Sequence, residues 1–179
     1  MTGSHKIIIG VIGGHLNNTN SEALEMAENM GEKLALNGFA IATGGENGIM
    51  ESVFKGAKRN NGLTIAITKS NQKHDANEYA DYVIPTSLDL AFMNVLAWSS
   101  DAVVAFDGKY GTMCEIGLIL DIGKPLVLLG KHELIRSNLI KNDNFLHLKD
   151  YSDDSADEAL GFIKHHINSH DALLKPIIG

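Results

Sequence analysis

Asp101-Ala-Val-Val-Ala-Phe-Asp-Gly-Lys-Tyr-Gly-Thr-Met-Cys-Glu-Ile116 is the stretch on which the fold reading turns. An apolar run, Ala102–Phe106, stops at Asp107-Gly108. A short loop with Gly111 follows, and the pattern predicts a helix opening near Thr112. Strand, glycine loop and helix in that order make an anion site. The free N–H groups of a helix's first turn, and its positive dipole end, point at whatever lies above the loop. Glu115 falls one turn into the helix. A carboxylate beside such a site is electrostatically awkward, which marks it for chemistry or ribose binding.

The same alternation runs along the whole chain. Residues 6–12, 39–43, 63–67, Tyr82–Pro85, Ala102–Phe106, 125–129 and Phe145–Leu148 read as strands. Residues 21–37, 49–59, 89–99, 112–122, 133–140 and 154–168 read as helices. Ser21 is the expected cap of the first helix, and Gly38 its stop. The polar stretch 69–81 reads as a mobile loop. Alternating strands and helices imply a Rossmann-like α/β fold, a three-layer α/β/α sandwich around a mostly parallel sheet. The 179 residues fit one nucleotide-binding domain, 1–179. Ligands of such sheets bind beyond the carboxyl ends of the strands, near the topological switch point.

Composition narrows the partners. The formal charge is −7 with no basic block, which argues against duplex nucleic acid and anionic membranes. A phosphate would have to be held by local geometry rather than by a positive field. Cys114 is the one cysteine, so no intrachain disulfide and no Cys-rich zinc site is expected. No signal peptide and no membrane-length apolar run is visible, and a cytoplasmic protein is expected. Gly3-Ser4-His5 reads equally as native chain or cloning scar.

Three glycine loops follow three strands: Gly10-Val11-Ile12-Gly13-Gly14-His15, Thr43-Gly44-Gly45-Glu46-Asn47-Gly48 and Asp107-Gly108-Lys109-Tyr110-Gly111-Thr112. None matches the dinucleotide fingerprint or the Walker A pattern. A lone glycine loop is usually a tight turn. Three opening on one sheet edge point instead to a shared anion or nucleotide site.

The second and third loops carry a resemblance. Thr43-Gly44-Gly45-Glu46-Asn47-Gly48-Ile49-Met50 resembles the G-G-G-x-x-G-L-M segment of the Lonely Guy (LOG) family, and residues 107–115 resemble its P-G-G-x-G-T-x-x-E. The molybdenum-cofactor carrier-like branch of Rossmann proteins is closer. It shares the Ile-Gly-Val-Ile-Gly-Gly opening, a Thr-Gly-Gly-x-x-Gly-x-Met-Glu segment, and Ala-Asn-Glu-Tyr-Ala-Asp before the fourth strand. The resemblance covers residues 7–129. It implies a nucleotide-binding Rossmann-like fold and a homodimer or larger assembly. In LOG enzymes such a site cleaves the N-glycosidic bond of a nucleoside 5′-monophosphate to free base and ribose 5-phosphate. The resemblance would put Glu115 at the ribose, the loop 108–112 at the phosphate, and an arginine on the preceding helix.

That arginine falls at Phe92 or Met93 here, and the helix 89–99 has no basic residue. Loss of one such electrostatic partner costs on the order of 10² or more in rate. The family's loop proline and glycine are Asp107 and Lys109. Lys109 restores a point charge, whereas Asp107 would oppose a phosphate unless it turns away. A binding or carrier role therefore gains over hydrolysis. The expected ligand is a phosphorylated nucleotide-type small molecule, a nucleoside monophosphate or molybdopterin cofactor, with no cofactor required. The expected contacts are Gly13, Gly14, His15, Asn17, Thr43, Gly44, Gly45, Gly48, Asn94, Gly108, Lys109, Tyr110, Gly111, Thr112 and Glu115. The alternatives are a LOG-like phosphoribohydrolase using Glu115, and a regulatory module sensing a nucleotide through the loop 69–81. No metal site is expected from the eight histidines, because none forms an H-x-x-x-H pair with a nearby acid ligand. Cys114 reads as a small packing residue. The nearly all-apolar helices 88–98 and 113–122 read as buried or as a dimer face.

Overall fold

The structure is a computed structural model that describes residues 5–133, 135, 140 and 142–173, with 169–173 as backbone. It is a seven-stranded, wholly parallel sheet flanked by helices. The strands are β1 (Ile8–Ile12), β2 (Ala40–Thr43), β3 (Thr64–Thr68), β4 (Tyr82–Pro85), β5 (Ala102–Phe106), β6 (Leu126–Leu129) and β7 (Phe145–Leu148). The helices are α1 (Ser21–Leu36), α2 (Ile49–Lys58), α3 (Phe92–Ser99), α4 (Tyr110–Asp121) and α5 (Asp153–Leu173). The sheet order β4-β3-β2-β1-β5-β6-β7 reverses direction at β1, so the switch point lies between β1 and β5. Ile9 pairs with both Ile41 and Ala102, which puts the ends of β2, β1 and β5 side by side.

Strand alternation builds two cores. Ile9, Val11, Ile41, Val104 and Phe106 face α1, α2 and α5. Ile12, Ala42, Val103, Ala105 and Leu128 face α3 and α4. Strands buried on both faces have no polar side to expose, which explains their unbroken apolar sequence. Across the first face α1 and α2 approach closely through glycines. A Cβ on Gly31 would run into the Val53 carbonyl, and one on Gly56 into the Glu28 carbonyl.

Several local expectations change. The first helix is capped by Asn20, whose Oδ1 accepts the Ala23 N–H at 2.8 Å, and not by Ser21. The fourth helix opens at Tyr110 rather than Thr112, so Gly111 sits inside its first turn. The helix expected over 89–99 is a 3₁₀ turn, Asp89–Ala91, followed by α3. The stretch 69–81 is tied down: the Asn77 N–H donates to the Gly45 carbonyl at 2.8 Å. Its Nδ2 donates to Gly45 and Glu46 carbonyls, each at 3.1 Å. Cys114 is exposed on α4 instead of packed. The helix expected over 133–140 lies largely outside the described residues. No described helix is long and apolar enough to cross a membrane.

The α1–α2 contact is testable against an open glycine. Gly31→Ala should destabilise by about 1–3 kcal/mol through overpacking. Gly161→Ala, in α5 with nothing within 4 Å of the added methyl, should stabilise by about 0.5–1 kcal/mol. Urea unfolding of both variants reads the sign directly.

Candidate functional site

The chain leaves β1 through Gly13-Gly14-His15, β2 through Gly44-Gly45-Glu46, and β5 through Asp107-Gly108-Lys109. Backbone bonds knit these exits together. The Gly14 N–H donates to the Asp107 carbonyl at 3.0 Å, and the Ile49 N–H donates to the Gly14 carbonyl at 3.2 Å. Gly48 has φ +79, and a Cβ there would meet the Leu16 nitrogen at 2.5 Å and the Gly14 carbonyl at 2.6 Å. Only glycine suits both that backbone region and that approach.

Asp107 turns away from the opening. Its carboxylate accepts the Lys131 N–H at 3.1 Å, the His132 N–H at 2.6 Å and the Tyr151 hydroxyl at 2.7 Å. Burial and that hydrogen bond push the Tyr151 phenol well above its ordinary range. The charge that would oppose a phosphate is thereby spent on the protein's own donors.

Above the exits lies a cleft of about 220 Å³. One wall is apolar: Ile12, Met50, Leu90, Phe92 and Met93. The start of α4 also lines the cleft, with Lys109, Gly111, Thr112 and Glu115. Helical spacing puts Gly111, Thr112 and Glu115 on one face. First-turn N–H groups have no acceptor inside the helix. Those of Tyr110, Gly111 and Thr112 have none among the described residues. Gly108 is confined by the Thr112 side chain, which a Cβ would strike.

Glu115 is raised from its ordinary value to about 7, first by burial and then by the negative charge of Glu46. Glu46 is itself held by two cations or donors: Lys69 Nζ at 2.7 Å and His15 Nε2 at 3.2 Å. The other ring nitrogen of His15 lies 3.3 Å from Asn47 Oδ1. A second opening of about 430 Å³ adjoins the cleft, sharing His15 and Glu46. It is bordered by Glu51, Asp75 and Glu78.

The profile of the SLOG cluster4 family matches residues 6–158. The chain belongs to that family. An uncharacterized protein of Archaeoglobus fulgidus is 37% identical over 121 residues, 68% of this chain and 78% of that protein. Among solved structures, the molybdenum cofactor binding protein of the phototrophic bacterium Rippkaea orientalis is 33% identical, with a TM-score of 0.80 over 91% of this chain and 98% of that one. The molybdenum cofactor carrier protein of Chlamydomonas reinhardtii is 31% identical, with a TM-score of 0.79 over 91% and 99%. The carrier-like branch of the resemblance and the Rossmann-like α/β fold are both supported by these matches.

The SLOG cluster4 cleft gathers Gly13, Gly14, His15, Gly44, Lys109, Gly111, Thr112 and Glu115 from the expected contacts. Thr43 and Gly45 do not line the cleft; Gly45 lines the adjoining opening, and the Thr43 hydroxyl accepts its N–H at 2.9 Å. Asn17, Asn94 and Tyr110 are exposed and do not line the cleft, and Asn18 lines it in place of Asn17. Phe92 and Met93, where the LOG arginine would fall, do line it, so that position faces the ligand space without a charge. Sequence reasoning missed Glu46 and Lys69 as site residues. Glu46 stood inside a quoted motif, whereas Lys69 needed the knowledge that β3 lies beside β2. Among the described residues no group of three His, Cys, Asp or Glu side chains is placed to hold a metal ion.

A carboxyl that titrates near 7 in the fold and near 4.5 unfolded binds more protons folded between those values. Stability attached to Glu115 is therefore present below pH 4.5 and lost as pH rises to about 7. Glu115→Gln should match wild type near pH 4.5 and exceed it at pH 8 by up to about 3 kcal/mol. Denaturant titrations at both pH values measure the difference.

Proposed function

We propose that the cleft binds a phosphorylated heterocycle of the molybdopterin or nucleoside monophosphate type and holds it without turning it over. The observation that carries this reading is the pairing of two unlike walls. The free first turn of α4 and Lys109 form an anion-binding wall, and Phe92 and Met93 form an apolar wall where a hydrolase of the LOG type would need a cation. The likeness to two molybdenum cofactor proteins supports the molybdopterin choice.

The residues present fit such a ligand. A flat ring lies well against Phe92 and Met93. The adjoining acidic opening offers Glu46 and Glu51 to the amide and amine donors of a pterin edge. The phosphate is held by backbone N–H groups and one lysine rather than by the field of the chain, whose formal charge is −7. The reading extends to the rest of the molecule: residues 1–179 act as one domain, in the cytoplasm, with duplex nucleic acid and membranes left aside. A second copy covers the α3–α4 face, where Leu90 is 67% and Trp98 63% exposed.

One observation favours the phosphoribohydrolase alternative. Glu115, half-protonated near neutral pH, has the poise of a general acid or base. Calorimetric titration with AMP, GMP and molybdopterin, assayed in parallel for free base, separates the readings. Binding without base release is expected, and Lys109→Ala should weaken it about tenfold. Base release from wild type that Glu115→Gln abolishes would make the protein a hydrolase.

A further inference from the structure

Lys69 is the one cation of the cleft that neither the glycine loops nor the family motifs bring in. It is the first residue after β3, and it reaches the cleft because β3 lies next to β2. Its ammonium sits 2.7 Å from Glu46, with His15 on the same carboxylate at 3.2 Å. Lys69 and His15 are each 50% exposed, and Glu46 is 30% exposed. Ion pairs that open to water are weak and exchange readily. The Glu46 carboxylate therefore occupies a position that an incoming anion can take over.

The sheet fixes how far this position lies from the phosphate end. Lys69 follows β3 and Lys109 follows β5, with β2 and β1 between them. Three strand intervals at roughly 4.8 Å put the two strand ends about 14 Å apart. Both lysines nevertheless line the same cleft. The charged groups facing it are Lys69, Lys109, His15, Glu46 and Glu115. Among the described residues Lys109 has no ion-pair partner, so one end stands open and the other is occupied by Glu46.

We propose that Lys69 and His15 form a second anion subsite at the β3 end of the cleft, guarded by Glu46, and that the cleft selects a ligand with two separated anionic groups. The proposal rests on the phosphorylated-ligand reading for the occupant of the α4 end, but its own residues are distinct from that end. A nucleoside monophosphate, with one anionic group, fills only the α4 subsite. A ligand with a phosphate at one end and a second anion at the other fills both, and releases Glu46 from Lys69 as it binds.

The test uses two divalent tetrahedral probes, inorganic phosphate and tungstate, titrated into isotope-labelled protein. Nuclear magnetic resonance reads the Gly111 and Thr112 amides at one end, and the His15 ring with the Asn47 amide at the other. Two saturable responses are expected. Lys69→Ala should weaken the His15 response about tenfold or more and leave the Gly111 response unchanged. Glu46→Gln, which removes the competing charge, should strengthen it several-fold. A single response confined to α4, or a His15 response that survives Lys69→Ala unchanged, overturns the second subsite and leaves the phosphate reading intact. A His15 response lost in Lys69→Ala, with no response at Gly111 and Thr112, supports the Lys69–His15 subsite but overturns the α4 cradle and with it the selection of a two-anion ligand.

Discussion

The structure of the site depends on one carboxylate, that of Asp107, whose acceptors are taken by the protein's own donors. Asp107 ends β5 and accepts three donors, two backbone N–H groups beyond β6 and the Tyr151 hydroxyl ahead of α5. Its own carbonyl accepts the Gly14 N–H, so the same residue ties the β5 exit to the β1 exit. Asp107 is half-buried, and removing its carboxylate leaves two backbone N–H groups and the Tyr151 hydroxyl without their acceptor. Asp107 stands three residues ahead of the α4 first turn. Proline, the LOG residue here, has no side-chain acceptor to offer Tyr151, so this chain secures the loop by hydrogen bonds instead of by ring geometry.

The three glycine loops then divide the labour. The N–H groups of Gly14, Gly45 and Ile49 are consumed inside the protein, on Asp107, Thr43 and Gly14. They hold the loops against each other and are not available to a ligand. The N–H groups of Tyr110, Gly111 and Thr112 in the α4 first turn have no acceptor among the described residues. Close approach of backbones requires glycine at Gly48 in the second loop, and the third loop leads into the helix start at Tyr110. Asn77 pins the second loop, and Asp81 accepts the Thr64 N–H at 2.9 Å at the start of β3.

Much of this was legible in the sequence because it rests on local rules. Apolar runs mark all seven strands, and the glycine loops after β1, β2 and β5 fall on one edge. The sequence does not separate Asn20 from Ser21 as the cap of α1, because both are good caps and backbone dihedrals choose between them. The start of α4 differs from the sequence pattern because Gly111, a poor helix former, is tolerated in the first turn of a helix. Lys69 was not legible. It stands at the head of a polar stretch, and only the strand order, a non-local property, carries it to the cleft. Asn17 and Asn18 are indistinguishable by chemistry, and a 3₁₀ turn over Leu16–Asn18 decides which of them faces inward.

The uncharged Phe92–Met93 wall and the high proton affinity of Glu115 are two sides of one change. An arginine within about 4–6 Å would lower a carboxylate by 1–3 pH units and keep Glu115 ionised. Apolar side chains in that place withdraw water instead, and Glu46 adds a like charge, so the acid rises to about 7. An ionised Glu115 beside a phosphate would be repulsive, whereas a neutral one can donate a hydrogen bond to it. Replacing the cation by apolar surface thus removes the electrostatic partner that bond cleavage requires and at the same time softens the one negative charge that α4 places against an anion. For the phosphorylated ligand proposed above, both effects would favour retention over hydrolysis.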